Sequence, residues 1–507
     1  MNLSLWLQFM VKNHQIVSPT TPDDNENKES GLFSNYEINH LFYDEMFTPN
    51  GEPREHYRIL WETLNSIPFE QIVQLQEQAE RSFLQDGITF SVYGEEGAQE
   101  RIIPIDFLPR LINRSEWTYL ERGLTQRLQA LNSFLTDIYG DANILTDGVL
   151  PPDLVYGCPH YRIEMAGVTL PYDVHVTICG SDLVRDNKGY MVLEDNLRSP
   201  SGVSYMLANR QAIRSSLRTL YRSYSVLSIG NYTNLLYQSL AEIAPTGVTD
   251  PCIVLLTPGV YNSAYYEHMF LAREMGVELV QGNDLLVHNG FVYMRTTQGL
   301  RRVDVIYRRL DDDFIDPLIF RTDSQLGVPG LFHAFRLGNV AIANAPGTGV
   351  ADDKAVYYYV PDMIRYYLAE EPIIPNVETH LCREPEGLEY TLDNLDKLVV
   401  KQVGESGGYG MLVGPHASQA ERDDFSREIQ ASPENYISQP TLDISRAPSM
   451  GENGTIPCHV DLRPFILQGS ETRIVPGAFG RVALRPGSLV VNSSQGGGGK
   501  DIWVLEN

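Results

Sequence analysis

The chain has 507 residues, 43% apolar and 21% charged. That composition excludes wholesale disorder, collagen and coiled coil, and at roughly 100–200 residues per domain it implies about three domains or one multi-lobed enzyme. Its 39 lysines and arginines against 65 aspartates and glutamates leave a net charge of −26, a surface that repels phosphate backbones and argues against nucleic-acid partners. Cys158, Cys179, Cys252, Cys382 and Cys458 stand far apart, with no CxxC or cysteine–histidine cluster. This spacing gives no structural zinc site and suits a reducing cytoplasm. The opening LSLWLQFMV is too short to span a bilayer and lacks the flanks of a signal peptide. The expectation is a soluble cytoplasmic protein without a membrane partner.

Residues 1–30 end in SPTTPDDNENKES, which predicts a flexible N-terminal arm. Residues 31–150 read as a mainly helical region. Trp117, Leu120, Leu124, Leu128, Leu131, Leu135 and Ile138 recur every three or four positions, predicting one long helix capped by Asn113 with Glu116 and stopped at Gly140. Short β-like runs, ITFSVY and RIIPI, precede it. Residues 151–248 hold two strands, YDVHVTI and GYMVLED, around the turn DNKG, then helical patterns from 205 to 243. Residues 249–345 open with PCIVLLTPG, a helical stretch and GVELVQG, the pattern of a parallel βαβ unit. A hairpin turning at Asn289–Gly290 and the buried strand VDVIYRRL follow. Residues 346–507 start helical, with Pro361 opening a second helix, and become strand-rich after 397. The fold class is α/β with a β-rich C-terminal half.

Four segments carry candidate chemistry. KLVVKQVGESGGYGMLVG sets Lys401 at the end of a strand before Gly404, Gly407, Gly408 and Gly410. Glycines between two strands can form a flap whose N–H groups close on phosphate oxygens, with the lysine as a point charge. The order is neither a Walker P-loop nor a Rossmann fingerprint, and a plain hairpin turn is the competing reading. In LEDNLRSPSG, Glu194 and Asn196 share one face of a strand and offer hard oxygen ligands suited to Mg²⁺, which Asp182 on the preceding strand can reach if the pair is in register. ADDK places Lys354 in the first turn of a helix, where an acidic pair is expected and a lysine is not. NYISQPTL is an extended run stopped by a proline. Arg308 and Arg309 precede Asp311, Asp312, Asp313 and Asp316, which fits internal salt bridging or anion capture. Arg463 and Arg481 stand on candidate strands, and Gly496–Gly499 suggests a second flap or a loose hairpin.

Taken together, LEDNLRSPSG, DVIYRRLDDDFIDP, GTGVADDKAVYYYVPDMI, LVVKQVGESGGYGML, YISQPTL, HVDLRPF and VNSSQGGGGKD resemble the circularly permuted branch of the ATP-grasp superfamily. They are most similar to its type 2 group, near glutathionylspermidine synthetase and eukaryotic-type glutathione synthetase. The E-x-N motif precedes the lysines and the glycine flap, as permutation requires.

The resemblance implies a permuted ATP-grasp core with an inserted βαβ pre-ATP-like domain and a helical N-terminal region. It implies ATP and Mg²⁺ as cofactors. It implies nucleotide contacts at Lys354, Lys401 and the lid Gly404, Glu405, Ser406, Gly407, Gly408, Tyr409 and Gly410, and at the hinge Gln439, Pro440, Thr441 and Leu442. It further implies metal ligands at Asp182, Glu194, Asn196 and Glu405, and an oxyanion-stabilising arginine among Arg185, Arg198 and Arg481. The reaction implied is ligation of a small-molecule or peptide carboxylate to an amine, with a polyamine among the candidates given the acidic surface. A non-catalytic ATP-binding module and a small-molecule kinase are the alternatives.

Overall fold

The computed structural model describes residues 31–85, 87–88, 90–94, 97–101, 103–404, 410–484, 491 and 497–506. The expected arm at 1–30, Glu405, Ser406, Gly407, Gly408 and Tyr409 of the lid, and Gly496 lie outside the described residues.

The periodic stripe folds as the helix Arg114–Ile138, and all seven of its apolar residues are buried. Asn113 caps it by accepting the Glu116 N–H at 2.8 Å. The reciprocal half of the capping box is not made, because the Glu116 carboxylate accepts from Arg185 and Tyr190 instead. This helix lies against a seven-stranded sheet whose strands come from three distant parts of the chain. In order they are Ile105–Ile112, Gly498–Val504, Thr472–Val482, Gly454–Gln468, Ile178–Asp186 and Gly189–Asn196, with Arg446–Gly451 also paired to Gly454–Gln468. Ile105–Ile112 pairs parallel with Gly498–Val504, so the N-terminal region supplies an edge strand to a C-terminal sheet.

The βαβ reading appears as a four-stranded parallel sheet, Ala341–Ala343, Val305–Arg308, Ile253–Leu256 and Glu278–Val280, crossed by the helix Tyr265–Met275. The strands are short and apolar because both faces are covered. The hairpin Leu285–His288 with Phe291–Thr296 turns at Asn289 and Gly290, whose φ values of 52° and 77° are both left-handed, as a type I′ turn requires. Antiparallel strands His380–Leu381, Tyr436–Pro440, Leu398–Gln402 and Met411–Val413 build the sheet that carries Lys401. Pro361 stands in the first turn of Val360–Met363, as expected.

Asn344 ties the parallel sheet to the main sheet. Its Oδ1 accepts the N–H groups of Thr177 and Ile178, and its Nδ2 donates to the carbonyls of Ile178 and Leu197. All four bonds are buried, so the amide fixes the strand leading to Asp182 against the loop leaving Asn196. The five cysteines are free. No described helix is long and apolar enough to cross a membrane.

Candidate active site

The hairpin Ile178–Asp186 with Gly189–Asn196 is where the site begins. Its register sets Asp182 directly opposite Glu194, with a bulge immediately after. Alternation then separates the side chains of LEDN. Asp195 points into the core, where it pairs with Arg127 at 2.7 Å and accepts from Ser181. Glu194 and Asn196 stay half-buried on the other face. Asn196 Nδ2 donates to the Gly180 carbonyl at 3.0 Å, which fixes the amide so that Oδ1 is its free end.

Beneath Glu194 lies a buried ionic cluster. Asp182 accepts from both Arg463 and Arg481, and Arg481 also pairs with Asp461. Burial works against the ionised form of Asp182, yet the two guanidinium charges hold its carboxyl well below the ordinary value. Arg463 reaches on to Glu194 at 3.9 Å. Asp182 is therefore brought beside Glu194 as expected, but both its oxygens are already engaged by arginines. A metal role for it requires one of those contacts to give way.

Lys354 approaches from a different segment. Asp353 caps the helix Lys354–Tyr358 by accepting from the N–H groups of Ala355 and Val356, so the lysine is the first helical residue. Its Nζ lies 3.9 Å from Glu194. Its backbone N–H bonds the carbonyl of Val403, at the end of the Lys401 strand. Asp352 accepts from Arg198 Nε at 2.7 Å and from the Leu197 N–H, locking the ADDK turn onto the residues after Asn196. Lys401 donates to Gln439 Oε1 at 2.8 Å, and Gln439 passes a hydrogen bond to Thr379. Burial lowers the Lys401 pKa from 10.5 to about 8, with the Glu194 charge partly offsetting it.

Glu194, Asn196, Arg198, Lys354, Val403 and Gly404 line one side of a cavity of about 650 Å³, and Lys401 and Asp182 are not among its lining residues. Its other wall comes from the parallel-sheet unit: Asn262, Ser263, His268, Arg309 and Asp311. Arg309 is buried and donates to Glu267, Ser201, Tyr307 and the Pro200 carbonyl. Glu267 also accepts the N–H groups of Gly202 and Ser204. His268 bonds Thr257 at 2.8 Å, and burial followed by the Arg309 charge lowers its pKa to about 2. Burial lowers that of His160 as well. Burial thus disfavours the charged form of both imidazoles on the cavity wall.

Not every expected residue arrives. Arg185 is not brought to the cavity: it is held by Glu45 and Glu116 and stacks 3.9 Å over the Tyr43 ring. These contacts tie the hairpin to the N-terminal region. Arg308 is a structural post, donating to the carbonyls of Asn344, Leu310 and Ala345 and pairing with Asp312. Arg198 lines the cavity, whereas Arg481 is buried in the ionic cluster. Gln439, Pro440, Thr441 and Leu442 do not line it; of the four, Gln439 bonds the Lys401 ammonium. The Thr441 N–H is taken by the Lys397 carbonyl.

Sequence reasoning missed Asp352, Glu267 and His268. The signal for Glu267 was present: it shares a core-facing stripe with Leu271 and Met275, where a carboxylate needs a buried partner. Replacing Glu267 by Gln leaves Arg309 charged and short of its counter-ion. The expected loss is about 3–5 kcal/mol, read as a lower denaturant midpoint with an unchanged slope.

Glu194 and Asn196 Oδ1 offer two hard oxygen donors on one face, with Lys354 beside Glu194. Among the described residues, no cluster of three or more His, Cys, Asp or Glu side chains could hold a metal by itself.

Comparison with known proteins agrees with this geometry. The family model described as circularly permuted ATP-grasp type 2 matches residues 109–483. The uncharacterized protein sll0335 of Synechocystis is 52% identical over 467 residues, covering 92% of this chain and 97% of that one. The uncharacterized protein Rv2411c of Mycobacterium tuberculosis is 48% identical over 477 residues, covering 94% and 86%. A Frankia alni protein provisionally named glutamate–cysteine ligase 2-3 is 42% identical over 465 residues, 91% of this chain but 54% of that protein. Among solved structures, a glutathione synthetase-like effector, GSS30, from Globodera pallida in apo form superposes with a TM-score of 0.53 at 11% identity, covering 86% and 97%. At that identity the likeness is one of fold.

Proposed function

Because the chain belongs to the circularly permuted ATP-grasp type 2 family, and with it to the carbon–nitrogen ligases, we propose that it uses ATP and Mg²⁺ to join a small-molecule or peptide carboxylate to an amine through an acyl phosphate. The observation that carries this reading is the convergence of Glu194, Asn196, Lys354 and Gly404 on one cavity whose opposite wall is the parallel-sheet unit.

Glu194 and Asn196 would hold the metal, joined by Glu405 and by Asp182 if an arginine contact yields. The bound ion would neutralise phosphate charge. Lys354 and Lys401 contribute fixed positive charge beside the same phosphates, stabilising charge that develops as the γ-phosphoryl group leaves ADP. The substrate carboxylate attacks that phosphorus and becomes the acyl phosphate. The amine adds to the acyl carbon, and inorganic phosphate departs as the amide forms. Arg198, which lines the cavity and pairs with Asp352, would stabilise the oxyanion between those events, a role the sequence offered equally to Arg185 and Arg481. Gly404 to Gly410 would form the lid that excludes water from the acyl phosphate.

The amine and acid enter by the wall of Asn262, Ser263, His268 and Asp311. The glutamate–cysteine ligase name of the Frankia relative suggests amino acids as the substrate class, although nearly half of that relative lies outside the match. A screen of amino acids, peptides and polyamines for coupled ADP and phosphate release tests the proposal. A ligase releases phosphate only when acid and amine are both present. ADP formation with phosphate retained on the acid or an alcohol would make the protein a kinase instead, and ATP binding with no turnover on any pair would leave a binding module.

A further inference from the structure

Residues 196–241 contain no aspartate or glutamate, in a chain where 65 of 507 residues are acidic and about six would be expected in such a stretch. The same stretch holds Arg210, Arg214, Arg218 and Arg222 at four-residue spacing. The structure turns this pattern into a surface. A cleft of about 640 Å³, separate from the active-site cavity, opens between the helices Val203–Ser216, Arg218–Ser223 and Tyr265–Met275. It is lined by those four arginines and Arg273, and Glu274 is the single carboxylate among its described lining residues.

Two of the five charges are already satisfied. Arg210 pairs with buried Asp501, and Arg273 pairs with Glu274. Arg214, Arg218 and Arg222 are exposed, and no carboxylate among the described residues pairs with them. Arg214 stands in the last turn of the first of these helices and Arg218 and Arg222 on the second, so the three follow one another along the cleft wall across the break at Leu217. Like charges four residues apart on one helix, as Arg218 and Arg222 are, destabilise it. The Tyr221 ring adds a flat wall, with the Arg214 guanidinium 5.7 Å from its centroid.

We propose that this cleft binds a phosphate-bearing small molecule, at a site independent of the nucleotide pocket and of the ligase reading. Guanidinium forks match phosphate oxygens in pairs, and three in a row suit a ligand with several phosphate groups. A cleft of this size holds a small molecule. The negative charge over the rest of the chain works against a long nucleic-acid backbone.

Inorganic tripolyphosphate, titrated calorimetrically into the full chain at 150 mM salt, is the probe. Wild type and Lys401→Met should both bind it in this cleft. The Arg214→Gln/Arg218→Gln double variant should lose that site by at least tenfold in affinity while melting no lower than wild type, since both side chains are exposed and the repulsion between Arg218 and Arg222 on the second helix is relieved. If the double variant does not fold, Arg222→Gln repeats the measurement at the exposed end of the row. Equal tripolyphosphate binding by the arginine variants overturns the proposal. So does loss of all binding in Lys401→Met, which would put the probe in the nucleotide pocket. Tighter binding of a polyglutamate peptide than of tripolyphosphate would also overturn it, marking the cleft as a docking site for acidic protein.

Discussion

Replacing Lys401 by Met should weaken ATP binding substantially while making the free protein more stable. The two effects share one cause. Burial lowers the Lys401 pKa from 10.5 to about 8, so the fold carries a cost for keeping this ammonium charged. At 1.36 kcal/mol per unit, that cost is about 3 kcal/mol. The sign follows from linkage: the lysine binds its proton less tightly in the folded chain than in the unfolded one. The destabilisation is therefore complete below pH 8 and disappears as pH rises from 8 to 10.5. Methionine keeps the stem and removes the charge, so the melting temperature at pH 7 should rise. Nucleotide affinity should fall on the order of 10²-fold, because a buried ammonium beside phosphate is a charge-assisted contact with little competing water.

Wild-type ATP binding should then depend on pH in a defined direction. A polyphosphate next to Lys401 restores its affinity for a proton, so binding takes up one proton once the free lysine begins to lose it. With the free pKa at about 8 and the bound value returned to the ordinary range, affinity should weaken roughly 20-fold between pH 7.5 and 9.5. In Lys401→Met that dependence should vanish. Calorimetry in two buffers of different ionisation enthalpy measures the proton uptake directly. A variant that is destabilised and still binds ATP with the wild-type pH profile would remove Lys401 from the nucleotide site.

The parts of this site that sequence showed are those governed by local geometry. Period-two alternation separates Glu194 and Asn196 from Asp195, and the hairpin register follows from a two-residue turn. Asn289–Gly290 forms its turn because two left-handed residues are needed there. The apolar stripe of Arg114–Ile138 is a matter of helical period alone. What escaped are contacts that join segments remote in the chain. Asp352 was expected only to favour a helix N-terminus, whereas it grips Arg198 and Leu197, more than 150 residues earlier. The arginines on Asp182 come from nearly 300 residues away. The position of Arg185 escaped for the same reason, because nothing local announces Glu45 and Glu116 as its partners. The strand order was not legible either, since local patterning does not reveal that Ile105–Ile112 pairs with Gly498–Val504. Local geometry was legible and the long-range contacts that hold it were not.

Glu194→Gln separates metal binding from phosphate binding at the same place. The side chain is 28% exposed and lies 3.9 Å from both Lys354 Nζ and Arg463 Nη2, so the amide should be accommodated without unfolding. Without magnesium, the variant should bind ATP as well as wild type or better, because a negative charge beside the phosphates is gone. With magnesium, the gain in ATP affinity that wild type shows should be lost, and turnover should fall by about 10³-fold or more. Lys401 supplies an independent readout that needs no substrate. The Glu194 charge raises the Lys401 pKa, so neutralising it should move the onset of the pH-dependent loss of ATP affinity below 8. Magnesium-assisted binding that persists in Glu194→Gln, with the pH profile unmoved, would place the metal and Lys401 away from this carboxylate and would separate the two halves of the proposed site.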